Sequence, residues 1–457
     1  MQMKFSRPLA LLAVIEYTLL VCIFAACFVQ LGEQVLLTDG MAFSLGRLFL
    51  LCLSVQAMMF ALGLYTWDVG DSGFDILVRF CAAFVLGFTL YGLVVLSVSI
   101  FSVPPRVLVV AVFASLPVML ILRFLFVQVM DLAPTKSRVV ILGTGKQAAH
   151  LHELESKGRA SRFRITHFLA LEPNEPAVRR DKVCDMPDDF SSYLRRNDVS
   201  EVVVALEERR GKLPLDQLID ARLQGARITD YQTFCEQAEG RIDLDALRPS
   251  WFFQSSGFRS GAIHDVMKRS IDIVLSLGLL IFALPLLIIT AIAIKLESPG
   301  GIFYTQERVG LGGRPFVLIK FRSMRNDAEN DNAPQWAQQG DARVTRVGKI
   351  IRKTRIDEVP QILNVLKGDM SFVGPRPERP YFVQLLSEEI PFYRERHRVR
   401  PGITGWAQLN YPYGASVEDA KRKLEYDLYY IKYFSVVFDL AIALQTVRVI
   451  LWSDGAR

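Results

Sequence analysis

The sequence predicts a three-part membrane protein: an α-helical membrane bundle, a soluble α/β domain, and a mostly helical C-terminal domain that carries one more membrane helix. Three observations lead there. Four apolar runs fill the first third of the chain, about residues 8–29, 43–65, 76–101 and 107–130, each near the roughly 20 residues a hydrocarbon core demands. Strand-like and helix-like segments then alternate between residues 137 and 245, the pattern of a parallel sheet. A fifth apolar run, residues 271–294, stands alone in a polar final third.

Composition agrees. At 457 residues the chain has room for two or three domains. Its 51% hydrophobic content and mean hydropathy of +0.26 exceed the usual globular mix. The net charge of +6 is modest and mixed, so nucleic acid is not an expected partner; anionic lipid or phosphate suits the local basic clusters. Six scattered cysteines without a CxxC pair point to neither a zinc site nor a disulfide framework, and fit a reducing compartment.

Residues 1–135 read as four transmembrane helices. The first run is too long for a signal peptide and lacks a cleavage site, so it is an anchor. Lys4 and Arg7 precede it, and Lys136, Arg138 and Lys146 follow the fourth run, whereas the first connection carries Glu33 and Asp39 and no lysine. The positive-inside rule then places both ends of the bundle in the cytoplasm, with the acidic loop 68–75 as a mild departure. Arg123, inside the fourth run, is expected to snorkel toward the inner interface.

Residues 136–247 form the α/β domain. Residues 138–142 read as a buried parallel strand, and Gly143-Thr-Gly145-Lys-Gln-Ala148 as a tight turn into a helix over 146–156. Residues 165–171 and 201–206 supply further strands, with helices near 189–196 and 214–224. The glycine pattern is similar to the dinucleotide fingerprint, but the acid expected about 20 residues beyond for a ribose hydroxyl is missing, since Glu172 arrives late. The expected domain is therefore Rossmann-like, degenerate, and either ligand-free or regulatory.

A linker, residues 248–264, leads into the last part, residues 265–457. Lys268, Arg269 and Lys295 flank the fifth apolar run on both sides, giving no inside–outside asymmetry, and Pro285 breaks it near the middle. These features predict a re-entrant helix over 271–294 that dips into the inner leaflet and returns, keeping everything after Lys295 cytoplasmic. Residues 417–433 form a charged helix, and residues 436–452 an apolar one interrupted by Asp439, Gln445 and Arg448, suited to the membrane interface or a dimer contact.

The chemistry concentrates in this last part. Arg343, Arg346, Lys349, Arg352, Lys353 and Arg355 precede the adjacent carboxylates Asp357 and Glu358 without one compensating acid. A carboxylate held among cations stays ionised and able to attack phosphorus. Pro360 in the first turn of a following helix places the pair at a positive helix end. The two side chains are offset by about 100° if helical, so one cannot share the other's task. Arg376, locked between Pro375 and Pro377, suits a forked grip on phosphate. Lys320, Arg322, Arg352, Arg355 and Arg400 are further candidate phosphate contacts, of which about half are expected to be ordinary surface pairs. Asp369 reads as a turn residue, Trp406 as core or a base-stacking platform, and His264 and His397 as isolated.

Four segments carry a specific resemblance: Lys320-Phe-Arg322-Ser-Met324; Arg355-Ile-Asp357-Glu358-Val-Pro360-Gln361; Gly368-Asp369-Met-Ser371-Phe-Val-Gly374-Pro375-Arg376-Pro377; and Arg400-Pro-Gly402-Ile-Thr404-Gly405-Trp406. Together they resemble the bacterial sugar transferase family, monotopic polyprenyl-phosphate phosphoglycosyl transferases, from Lys268 to about residue 451. The upstream bundle and α/β domain are similar to the large, exopolysaccharide-type members. The resemblance implies a hexose-1-phosphate transfer from a UDP-sugar to undecaprenyl phosphate at the bacterial inner membrane. It also implies Asp357 as the covalent nucleophile, Mg2+ held at Asp357 and Glu358, and a re-entrant helix broken at Pro285. Leu284 stands where the family often has serine. Membrane lipid and a second copy, as a homodimer, complete the expected partners.

Two other classes are the alternatives. A membrane nucleotide-sugar dehydratase or epimerase needs a Tyr-x-x-x-Lys pair, and none of the fourteen tyrosines has lysine four positions later. A non-catalytic scaffold or flippase component that moves lipid usually places ionisable groups at membrane depth, and the bundle has little such charge beyond Arg123.

Overall fold

The structure is a computed structural model describing residues 7–31, 41–65, 73–97, 103–130, 137–156, 163–171, 177–208, 213–254, 258, 261–325, 343–412, 414 and 416–452. Lys4, Glu33, Asp39, Lys136 and Glu172 lie outside these residues. Contacts divide the chain into two compact units: Gln2–Met59 with Leu64–Gly240, and Arg241–Arg457 with Phe60–Gly63.

In the first unit, the four apolar runs become α1 (Arg7–Leu31), α2 (Met41–Ala61), α3 (Gly73–Ser97) and α4 (Pro105–Met130). Within α1 and α4, Ala10–Leu31 and Pro105–Phe126 are long and apolar enough to cross a membrane, while Leu45–Ala61 and Leu77–Gly92 are shorter apolar stretches. Large hydrophobics such as Phe113 and Phe124 point outward, the arrangement of a lipid-facing surface. Arg123 departs from the snorkelling expectation. It is buried and paired with the fully buried Glu16 of α1 through Nε at 2.7 Å and Nη2 at 2.9 Å, and its Nη1 donates to the Leu64 carbonyl at 3.0 Å. Tyr65 also donates to Glu16 and receives a 2.7 Å bond from Gln56. A guanidinium buried inside an apolar bundle needs an opposite charge, and pairing with Glu16 offsets part of the cost of burying both.

The same unit holds a five-stranded sheet: β1 (Ser137–Leu142), β2 (Phe163–Ala170), β3 (Val183–Asp185), β4 (Glu201–Val204) and β5 (Arg227–Asp230). All pairs are parallel, in the order β3-β2-β1-β4-β5. This is a doubly wound order, with β1 at the centre. Its helices are α5 (Lys146–Ser156), α6 (Phe190–Arg196), α7 (Leu215–Leu223) and α8 (Tyr231–Glu239). Val140, Leu142, Leu169 and Val202 of the sheet pack against Phe190, Leu194 and Leu218 of the helices. Asp189 and Asp230 cap α6 and α8 by accepting from Ser192 and Thr233 backbone amides, which is why each helix starts there.

The glycine turn serves the fold itself. Gly143 has φ +116°, and a Cβ there would lie 2.5 Å from the Ala205 carbonyl oxygen, so only glycine lets β1 pass β4 so closely. At the start of α5, where a dinucleotide phosphate would sit, the Lys146 amide already donates to Glu207 Oε1 at 3.0 Å. Between α5 and α8, His150 Nδ1 lies 2.7 Å from the Tyr231 hydroxyl and 3.9 Å from Cys235 Sγ, while Nε2 faces Glu239 at 3.7 Å. Thiol and carboxylate thus address opposite ring nitrogens, the geometry of hydrogen-bonded helix packing.

The second unit opens with α9 (Ala262–Glu297), longer than the predicted 271–294 and running as one helical element through Pro285. A hairpin follows, β6 (Phe303–Val309) antiparallel to β7 (Pro315–Phe321). Then come α10 (Arg346–Lys353), a 3-10 turn (Ile356–Gln361) and α11 (Ile362–Lys367). β8 (Ser371–Val373) pairs in parallel with β9 (Gly402–Thr404), with α12 (Pro380–Glu389) between them in sequence. Two helices end the unit at their predicted bounds, α13 (Val417–Tyr433) and α14 (Val436–Trp452). One face of α14 is not free for a membrane or a partner: Phe438, Asp439 and Ile442 are buried, while Val437 is exposed.

Both ends of α9 dock on this one folded body. Arg269 donates to the carbonyls of Val365 and Leu366 at 2.5 and 2.7 Å, and Leu287, Ala291 and Ile294 pack against Phe321 and Ile351. Glu297 Oε1 accepts from the Arg346 amide at 2.7 Å. The stretch between is bare, with Val274, Ile281 and Phe282 exposed.

The buried pair in the bundle makes a sharp expectation. Arg123→Met should destabilise the bundle by about 3–5 kcal/mol, because it strands the Glu16 carboxylate, and adding Glu16→Leu should recover most of that loss. Thermal unfolding in detergent reads both; equal melting of Arg123→Met and the parent would refute the pairing.

Candidate active site

The acid pair does not sit on an α-helix. The 3-10 turn Ile356–Gln361 carries it, at three residues per turn, so Asp357 and Glu358 diverge by about 120°. Arg355, immediately before, has φ +55°, a left-handed conformation that costs a non-glycine residue energy and forces the sharp turn out of α10. α11 then begins at Ile362, and Asn364 pins it to β7: its Nδ2 donates to the Val317 carbonyl at 2.7 Å and its Oδ1 accepts from the Ile319 amide at 3.0 Å. β7 thereby delivers Lys320 to the acids.

Glu358 is caged. Its Oε1 accepts from Lys320 Nζ at 3.0 Å and Arg376 Nη2 at 2.6 Å, and its Oε2 lies 3.5 Å from Arg376 Nη1 and 3.8 Å from Arg355 Nη1. Burial alone would raise its pKa, but the Arg376 and Lys320 charges overcome burial and hold it well below the usual range. Asp357 differs. Among the described residues its carboxylate makes no hydrogen bond or ion pair, and burial, then the Glu358 charge, push its pKa up to about 6 against Lys320, Arg376 and Arg352. Two adjacent carboxylates are thus set apart, one neutralised and one left open with a more basic oxygen. Lys320 itself is lowered, chiefly by burial.

The other sequence-predicted residues divide. Lys320, Arg355 and Arg376 reach Glu358, and Arg352 contributes charge to Asp357. Pro375 and Pro377 hold the Arg376 backbone, their carbonyls accepting from the Gly402 amide at 2.9 Å and Arg308 Nη1 at 3.0 Å. Arg322 is elsewhere: buried, it donates to the carbonyls of Ser298 and Pro299, each at 2.8 Å, and so ties down the end of α9. Arg400 makes no hydrogen bond or ion pair with either acid; its backbone carbonyl lies against Gly374. Trp406 is core, 6% exposed between Tyr429 and Phe438. Asp369 pairs with Lys367 across its turn at 3.0 Å. Pro285 lies far along α9, in the exposed stretch.

Sequence reasoning missed Arg308 and the pair Arg396–Asp427, which meets at 2.8 Å and is buried. Arg396 also donates to the Arg376 carbonyl at 2.9 Å. The available signal was weak, one cation in a charged 3-10 segment and one acid in a charged helix. For a divalent cation the donor set fits: Asp357 is open, and Glu358 Oε2 has only its two longer contacts.

A folded body grips both ends of an exposed apolar helix and presents an open aspartate beside a cation-caged glutamate. Residues 263–453 match the family model for bacterial sugar transferases. The chain is 49% identical over 239 residues to an Aeromonas hydrophila UDP-N-acetylgalactosamine-undecaprenyl-phosphate N-acetylgalactosaminephosphotransferase, covering 52% of this chain and 56% of the relative. It is 45% identical over 194 residues to a Caulobacter vibrioides UDP-glucose:undecaprenyl-phosphate glucose-1-phosphate transferase, covering 42% of this chain and 72% of that protein. An Escherichia coli transferase of the same name is 44% identical over 187 residues, 40% of each chain. The chain belongs to the bacterial sugar transferase family. It spans about half the length of the Aeromonas relative.

Because Glu358 helps hold Asp357 high, Glu358→Gln should move the Asp357 midpoint down from about 6 toward the ordinary carboxylate range. The pH dependence of carbodiimide modification at Asp357, followed by mass spectrometry, measures this; an unmoved midpoint would show that burial alone sets it.

Proposed function

We propose that the protein transfers hexose-1-phosphate from a UDP-sugar to undecaprenyl phosphate, releasing UMP, as the first membrane step of exopolysaccharide or another surface glycan. The observation that carries this reading is the asymmetry of the acid pair. An Asp357 oxygen attacks the sugar-bearing phosphorus, the bond to the bridging oxygen breaks, and UMP leaves with that oxygen. The resulting acyl phosphate holds the sugar until a lipid phosphate oxygen attacks the same phosphorus and frees the carboxylate. With its pKa near 6, Asp357 is ionised at neutral pH yet a better nucleophile than an ordinary carboxylate. Lys320 and Arg376, within 3.0 Å of Glu358, stand where charge develops on the transferring group. Mg2+, held at Asp357 and Glu358 Oε2, would supply neutralisation of the diphosphate oxygens. The family relatives named for undecaprenyl-phosphate transfer support the carriers; they differ in sugar, between glucose and N-acetylgalactosamine.

We read α9 as re-entrant in the inner membrane. A helix that crossed the bilayer would leave its ends on opposite sides, but both ends of α9 bind one polar body. Pro285 removes the donor that the Ile281 carbonyl would use and permits a bend there. Catalysis then takes place at the cytoplasmic face. The α/β domain is read as Rossmann-like without a bound dinucleotide, supported by Glu207 at the α5 N-terminus. A homodimer is part of the same reading.

Asp357→Asn should abolish both UMP release and formation of the sugar-phosphate-labelled enzyme, and normal turnover in that variant would end the proposal. Topology has its own test. Ile263 and Leu296, 80% and 82% exposed at the two ends of α9, are each replaced by cysteine in a chain cleared of the native cysteines. A membrane-impermeant maleimide should label both from the cytoplasmic face of inverted vesicles and neither from spheroplasts; labelling from opposite faces would establish a span.

A further inference from the structure

The loop that aims Arg376 is held by its carbonyls. Val373, Pro375, Arg376 and Pro377 give theirs to Lys268, the Gly402 amide, Arg396 and Arg308, at 3.1, 2.9, 2.9 and 3.0 Å. Between the first two, Gly374 runs against β9 so tightly that a Cβ there would lie 2.3 Å from the Arg400 carbonyl oxygen. The Lys268 contact is different in origin, because Lys268 belongs to the first turns of α9, the membrane helix.

Lys268 is one of four buried groups. Its Nζ lies 2.7 Å from Asp439 Oδ2 of α14 and 3.5 Å from Asp272 Oδ1, one turn further along α9. Asp272 Oδ1 accepts from Ser371 Oγ and the Phe372 amide, both at 2.9 Å, so it holds β8 from the side. The Tyr430 hydroxyl of α13 reaches Asp439 Oδ1 at 2.7 Å and the Val373 carbonyl at 3.0 Å. All four residues are at most 9% exposed. Removing two carboxylates and an ammonium from water costs several kcal/mol per ion unless geometry recovers it. An apolar seam would hold α9 to β8 at lower cost, so stability does not account for this network. What it provides is direction: Lys268 and Tyr430 end on the Val373 carbonyl, and Asp272 on the Phe372 amide and the Ser371 hydroxyl, directly before Gly374-Pro375-Arg376.

We propose that Lys268, Asp272, Tyr430 and Asp439 are positioning residues for Arg376, coupling the membrane helix to the cation that grips Glu358. The assignment rests on the phosphate-transfer reading above. None of the four touches the acid pair; they act through the β8 strand and Arg376.

The test is a double-mutant cycle on the full-length enzyme in detergent, reading UMP release per folded protein. Asp272→Leu is close in size and removes the acceptor, whereas Asp272→Asn keeps an oxygen for Ser371 and Phe372. Asp272→Leu should lower kcat by about 10- to 100-fold, as displacement of a catalytic cation does, with Asp272→Asn recovering most of it. In an Arg376→Lys background the same Asp272→Leu change should cost little more, because Arg376 is already gone. Tyr430→Phe, which removes one hydroxyl and keeps the ring, is the second probe if Asp272→Leu fails to fold, and it should show the same non-additivity. Full multiplication of the losses, or an unchanged kcat in folded Asp272→Leu or Tyr430→Phe, overturns the assignment. Asp357→Asn in parallel separates the two readings: turnover there would sink the transfer reaction itself, whereas a dead Asp357→Asn with multiplying losses would sink only the positioning role.

Discussion

Everything at the site follows from the neutralisation of Glu358. Two ionised carboxylates on successive residues repel, and a half-buried turn offers little water to relieve them. Lys320 from β7, Arg376 from the loop after β8 and Arg355 from the turn itself converge on the glutamate and hold it ionised, while burial, and then the Glu358 charge, raise Asp357. The cage depends on parts distant in sequence: Asn364 fixes the turn to the hairpin, and Arg396, itself held by Asp427, fixes the Arg376 carbonyl.

The membrane helix enters the same arrangement from the other side. On the proposed re-entrant reading, an apolar helix with both ends on one body would bring a lipid phosphate to the level of the acid pair. Arg322, which donates to the carbonyls of Ser298 and Pro299, contributes to that geometry. A cation at the rim of a phosphate site can serve either end, and only the fold decides which.

What was legible in the sequence divides by range. Local patterning placed α13 and α14 at their bounds, and the length of the apolar runs found all four bundle helices, because both are local information. The four motif segments located Asp357, Glu358, Lys320 and Arg376. Left-handed Arg355 was not legible, so the acid pair was read on an α-helix and its divergence underestimated. The short strands β3 and β5 were likewise passed over, since three or four residues carry too little pattern. The close approach of the Arg400 carbonyl to Gly374 was not legible either, since backbone contacts leave no mark in side-chain chemistry.

The remaining misses share one physical cause. Glu16 with Arg123, Arg396 with Asp427, and Lys268 with Asp439 are buried pairs whose members lie many residues apart, and a charged residue in an apolar run carries no mark of its partner. Reading Arg123 alone suggests snorkelling, and reading Asp439 alone suggests an interface helix. Yet the cost of burying a charge makes the lone reading incomplete: an ionisable group inside an apolar segment must find an opposite charge, escape to water or lose its ionisation. Two such groups of opposite sign in different apolar segments therefore constrain each other, as Glu16 and Arg123 do. Applied to Lys268, Asp272 and Asp439, the same constraint ties α9 to α14, and through β8 both helices meet the loop that carries Arg376.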